Sequence, residues 1–188
     1  MDSFDPQAGD VRAETVNLRQ ASARNVYAGS ATLTMGNAQN VSAENVTIKQ
    51  AGARNVEAKS VTLKQGGVMQ ITADRVDAAA AGVGVIRADE VEIGPGCQVG
   101  ATIADDVAME ESVAPVIIAR HEAKLDQSGA GVLVANRVSL TNSAVLLAVA
   151  DAIQGDVRVQ VRPQVAAVFG AALGAALGVA LLIGRRTR

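Results

Sequence analysis

Apolar and polar residues alternate along this chain with a period of five. Written in fives from Val16, it reads VNLRQ, ASARN, VYAGS, ATLTM, GNAQN, VSAEN, VTIKQ, AGARN, VEAKS and onward to VEIGP at Val91–Pro95. The first and third positions of each pentad are apolar or small, and the second, fourth and fifth are mostly polar. An in–out–in triplet is a very short strand, and the two residues after it make a corner. The spacing does not drift as a helical pattern would. It predicts an all-β chain folded as a β-solenoid, or β-helix.

Side-chain size adds a longer period. Leu18, Leu33, Ile48, Leu63 and Ile93 are the large third-position residues, spaced by fifteen or a multiple of it, with Ala78 in the gap. The next triplets are small, as in Ala21-Ser22-Ala23 and Ala51-Gly52-Ala53. The third set pairs Val or Ile with Ala: Val26/Ala28, Val41/Ala43, Val56/Ala58, Ile71/Ala73 and Ile86/Ala88. Like stacks on like only at fifteen residues, so the coil is three-sided with about 15 residues, not four-sided with twenty. Asn25, Asn40 and Asn55 then share one corner, where Asn tolerates a left-handed backbone and can build a hydrogen-bonded ladder. Gln20, Gln50 and Gln65 share another, and Thr32, Thr47 and Thr62 line an outer face.

The regular pattern spans 11–103. Past Ile103 its phase slips by one, and 104–162 is expected to continue as irregular coils, with Val157–Val161 the last strand. Residues 1–10 form a flexible segment or cap, with Phe4 a candidate lid. From 165 to 184 the chain reads VAAVFGAALGAALGVALLIG, uncharged throughout. As a helix this is about 30 Å long, one bilayer thickness, and it predicts one C-terminal transmembrane α-helix followed by a basic tail at 185–188. Gly170, Gly174 and Gly178 repeat every four residues along it, the spacing that lets two membrane helices approach closely. The N-terminus has no apolar stretch of the signal-peptide kind, so the expected topology is single-pass, with the solenoid in the cytoplasm. Arginines flank both ends of the apolar segment, and charge counting does not set the orientation.

Composition narrows the chemistry. With one histidine, one cysteine and three aromatic side chains in 188 residues, a histidine metal cluster, an intrachain disulfide and a conventional layered core are all excluded. His121 with Glu122 reads as a surface or packed histidine rather than a general base or metal ligand. Cys97 falls at an outward position in the pentad frame and, without a basic neighbour, reads as an inert thiol. Gly82-Val-Gly84 lacks the lysine of a phosphate loop. The threonine ladder lacks the second threonine rank of an ice binder, because Thr34, Lys49 and Lys64 stand there. No catalytic, cofactor or metal residue is assigned, and no small-molecule substrate is expected.

Charge is uneven along the rod. From Val11 to Lys64 seven basic residues face three acidic ones; from Gln65 to Ser112 two face nine. Arg19, Arg24, Lys49, Arg54 and Lys64 on one part, and Asp89, Glu90, Asp105 and Asp106 on the other, are the candidate assembly or partner surface. Nucleic acid is not an expected partner, since the basic ladder is short and lacks interleaved aromatics.

Two resemblances follow. The triplets in AEN, ARN, ADR and ADE resemble the pentapeptide-repeat family over about residues 11–118. The chain departs from that family in placing Ala at most central positions and in its fifteen-residue superperiod, which argues against the family's four-sided coil. In architecture it resembles the bactofilins, cytoskeletal polymers of triangular solenoids that associate end to end. That resemblance implies a membrane-linked structural protein that self-assembles as a homo-oligomer. The alternatives from the residues themselves are a monomeric module that tethers a soluble protein partner to the bilayer, and an enzyme with a site around His121 and Glu122.

Overall fold

The structure is a computed structural model, and it describes residues 9–155. The chain divides into two units, Met1–Arg158 and Val159–Arg188, and everything described belongs to the first. The Phe4 lid, the Val157–Val161 strand, the membrane helix with Gly170, Gly174 and Gly178, and the basic tail lie outside the described residues.

The described chain is all-β. Its strands are β1 (Asp10–Arg19), β2 (Ser22–Thr34), β3 (Asn37–Lys49), β4 (Gly52–Lys64), β5 (Gly67–Ala79), β6 (Gly82–Arg87), β7 (Glu90–Ile93), β8 (Gln98–Glu110), β9 (Val113–Asp126), β10 (Gly129–Thr141) and β11 (Ala144–Gly155). Every pairing is parallel and joins one coil to the next, with Val11 beside Val26, Val26 beside Val41 and Val41 beside Val56. The chain is therefore a parallel β-solenoid with fifteen residues per coil through Ile93.

Each coil carries three in–out–in triplets. In β2 and the residues before it these are Ala21–Ala23, Val26–Ala28 and Ala31–Leu33 (here the first, second and third sides), and Leu33 is fully buried. The inward residues stack into ranks. Leu18, Leu33, Ile48, Leu63, Ala78, Ile93, Met109, Leu125 and Leu140 form the largest, all buried. A core of stacked ranks needs no aromatic filling, because each side chain packs against its own kind one coil away, about 4.8 Å along the axis.

Two details differ from the spacing argument. The left-handed corner is the one that holds Gln20, Gln50 and Gln65, not that of the ladder asparagines Asn25, Asn40 and Asn55: Gln20, Met35, Gln50, Gln65, Ala80, Glu111, Gln127 and Asn142 all have φ between 45° and 53°, and Gly96 joins them at 75°. The chain reverses there between the third side and the next first side, and the N–H of Gln50 donates to the Lys64 carbonyl one coil on (3.0 Å). The phase slip also comes earlier than Ile103. The offset is fifteen at Ala78/Ile93 and sixteen at Val83/Val99, so the extra residue sits in the Gly94–Cys97 corner. One added residue exchanges inside for outside in an alternating strand. Cys97 consequently points inward and is buried, not outward as the uncorrected frame has it.

A second extra residue enters at Arg120–His121, where β9 bulges between Ala119 and Glu122. On either side of it the strands keep their length and register through Gly155.

Candidate functional site

The outward ranks are where this fold presents chemistry, because every inward position is committed to packing. The candidate basic residues fall on two corners. Arg19, Lys49 and Lys64 share one rank, with Thr34 between the first two. Arg24 and Arg54 occupy the corner at the other edge of the first side, each just before a ladder asparagine. The candidate acidic residues meet at the corner after the second side. The Asp89 carbonyl accepts from the N–H groups of both Asp105 and Asp106 (3.0 Å each), and Glu90 lies beside Asp106 in the next coil.

The acidic corner is partly paired where it stands, with Glu90 and Asp105 each facing an arginine. Arg75 reaches Glu90 (3.3 Å) and Glu92 (3.8 Å), Arg120 pairs with Asp105 (3.1 Å), and His121 Nδ1 lies 3.9 Å from Asp106 Oδ2. These are exposed pairs worth little each. They leave the corner an ion-pair seam, with basic and acidic groups from adjacent coils facing each other. An open concavity beside it, floored by Ala73, Ala88 and Ala104 and edged by Arg87, Asp89 and Arg120, has the same mixed character. His121 is exposed in the bulge. Among the described residues no group of His, Cys, Asp and Glu is arranged to hold a metal ion.

Asparagine stacking is present on the second side's leading corner. Asn25 Nδ2 donates to Asp10 Oδ1 (2.6 Å), Asn40 to Asn25 (2.7 Å) and Asn55 to Asn40 (2.9 Å). Lys59 donates to Glu44 one coil away (2.8 Å), which holds the Glu44 carboxyl below its ordinary range and raises Lys59.

Two ladders have no counterpart in the pentad reading. One is internal. Cys97 N–H donates to Ser112 Oγ (3.0 Å), Ser112 N–H to Ser128 Oγ (3.2 Å) and Ser128 N–H to Ser143 Oγ (3.1 Å). Each hydroxyl in turn donates to a backbone carbonyl: Gly94, Asp126 and Thr141. This buried seam follows the left-handed corner, where earlier coils carry Ala51 and Ala81. Burial pushes the Cys97 thiol up, so it stays protonated at neutral pH and is not a reactive site.

The other is external and apolar. Ile103, Ile118, Val134 and Val149 stack in register on the outside of the second side, and all are exposed. Beside them Ala101, Val116, Val132 and Leu147 form a second rank on the same face. Both ranks become legible in the sequence once the two inserted residues are counted, because these aliphatics then occupy outward positions that carry polar residues in earlier coils.

Comparison with protein-family models, with curated proteins and with solved structures finds no match to this chain.

Proposed function

We propose that this chain is a non-enzymatic, membrane-anchored structural protein, a β-solenoid scaffold that self-assembles in the manner of the bactofilins it resembles in architecture. The observation that carries this reading is the uniformity of the ladder. Its outward ranks run in register across successive coils, and among the described residues β1 pairs only with β2 and β11 only with β10. A terminal strand with one unpaired edge is a template for another strand, so a solenoid of this kind must be capped or joined at its ends. Segment 165–184 supplies the hold on the bilayer, and Gly170, Gly174 and Gly178 supply a helix-pairing ridge. The solenoid then stands on the cytoplasmic side.

A second reading, a monomeric module that tethers a soluble protein to the membrane, is favoured by the exposed aliphatic face on β8–β11. Flotation of the full chain with phospholipid vesicles, followed by electron microscopy of the floated fraction, separates the two. The scaffold reading expects flotation with ordered clusters or filaments. Flotation as dispersed single particles favours the tether, and failure to float removes the anchor from both.

A further inference from the structure

We infer that the aliphatic face of β8–β11 is a pairing surface for a second copy of this chain, and that the two solenoids meet side by side and parallel. The inference deepens the scaffold reading and rests on its membrane anchor. The face consists of the Ala101/Val116/Val132/Leu147 rank and the Ile103/Ile118/Val134/Val149 rank, one pair of residues per coil for four coils.

Three features choose the occupant. The first is spacing. Side chains project as ribs repeating at about 4.8 Å, and another solenoid with the same rise places its ribs in register over the whole length. Two such sheets pack face to face as in a sandwich, with apolar side chains interdigitating.

The second is charge at the rim. One edge of the face is bounded by Asp105, Arg120, Asn136 and Asp151, the residues just after Ala104, Ala119, Ala135 and Ala150. The other edge is bounded by the uncharged Gly100, Pro115, Gly131 and Leu146. A two-fold axis parallel to the solenoids sets the charged edge of one copy against the uncharged edge of its partner. A two-fold axis across them sets charged edge against charged edge in reversed order, which brings Asp105 of one copy to Asp151 of the other. Asp105 is held by Arg120 in its own chain, so this repulsion is small; the C-terminal anchor, which has one direction in both copies, selects the parallel arrangement.

The third is size. A face of eight small aliphatic residues is well below the roughly 800 Å² per partner of a stable free-standing interface. It needs its partner held nearby. Two chains anchored in one bilayer through glycine-ridged helices meet that need by raising the local concentration of each face around the other.

In the parallel pair Ile118 lies across from the partner's Val116, whereas in the antiparallel pair it lies across from the partner's Val134. The test uses the full chain in phosphatidylcholine vesicles, with Cys97→Ala to remove the buried thiol; the same rank already holds Ala51 and Ala81. Chains carrying Val116→Cys are mixed with chains carrying Ile118→Cys and oxidised, beside a mixture of Ile118→Cys and Val134→Cys chains. The expected result is disulfide formation in the first mixture at least about fivefold above the second, the parallel two-fold's signature. A reversed ratio overturns the parallel arrangement. No cross-link in either mixture, with Thr187→Cys chains still cross-linking through their tails, overturns the pairing face and leaves the anchor reading standing. Failure of the chain to float with the vesicles fails the anchor reading and, with it, bilayer-held pairing.

A second variant guards the interpretation. Ile118→Glu should abolish cross-linking between Val132→Cys and Val134→Cys chains, while the circular dichroism of the solenoid is unchanged. The same rank carries Glu57 on β4, so the fold accepts a carboxylate there. Cross-linking that survives Ile118→Glu contradicts the inference.

Discussion

The second side of the solenoid has two chemistries on one backbone. From Asn25 to Thr72 its outward ranks are Asn25, Asn40, Asn55 and Gln70 beside Tyr27, Ser42, Glu57 and Thr72. From Ala101 to Val149 the same two ranks are wholly aliphatic. The inward rank between them scarcely changes, running Val26, Val41, Val56, Ile71, Ile86, Thr102, Ile117 and Leu133, all buried. The exterior therefore varies independently of the fold, because stacking fixes the inside while solvent or a partner sets the outside. Hydrogen-bonding side chains change places along the way. In the early coils they form an asparagine ladder outside, and in the late coils a serine ladder inside.

The largest effect is expected where both regions depend on a missing Cβ. A Cβ on Gly66 would sit 2.3 Å from the Ala51 carbonyl oxygen, and one on Gly131 would sit 2.5 Å from that of Pro115. The obstacle is backbone, which cannot swing aside. Gly66→Ala and Gly131→Ala should each destabilise by about 3 kcal/mol in urea unfolding, as overpacked cores do. Equal stability in either variant would mean that its corner is looser than described.

Next comes the serine seam, which sharpens the contrast between the regions. Ser112→Ala leaves the buried Cys97 N–H without its acceptor and the Gly94 carbonyl without its donor. It should cost about 2 kcal/mol. Hydrogen exchange at the Cys97 amide should accelerate in the variant, and unchanged protection would count against the seam.

A gain is expected at Thr102. This residue is fully buried between Ile86 and Ile117, and its hydroxyl has no partner. Thr102→Val restores the aliphatic rank at nearly the same volume and should stabilise by about 1 kcal/mol. A loss of stability would show that the hydroxyl is satisfied in solution.

The smallest effect concerns the Lys59–Glu44 ion pair, which is fully solvated. Glu44's lowered pKa contributes stability above the ordinary carboxylate range, and that contribution fades as pH falls through the lowered value. Lys59's raised pKa contributes below the ordinary lysine range and fades as pH rises through its own elevated value. Lys59→Gln should return the Glu44 titration, followed by NMR, to the ordinary range. An unmoved titration would exclude the pair as its cause.

Most of the scaffold was legible because a solenoid writes its geometry as local repetition. The period of five gave triplet and corner, the size of Leu18, Leu33 and Ile48 gave the fifteen-residue coil, and Asn25, Asn40 and Asn55 gave a ladder. What misled was also local. Asparagine's tolerance of left-handed backbone placed that conformation at the wrong corner, whereas the chain reverses at Gln20 and Gln50. The residue added at Gly94–Cys97 carried Cys97 inward and displaced the following outward positions by one, and the residue added at Arg120–His121 made that two. That shift hid both the serine seam and the aliphatic face. Charge was legible as an uneven count along the chain but not as pairs, since stacking sets Arg75 and Arg120 against acidic residues of neighbouring coils.

Bilayer-held self-association is decided by counting chains in single assemblies. The full chain, labelled with one fluorophore and placed at low density in a planar phospholipid bilayer, is bleached while single spots are followed. Most spots are expected to bleach in two or more steps, and Ile118→Glu to shift the distribution toward one. Spots that bleach in a single step throughout, in chains that remain in the bilayer, would contradict self-association.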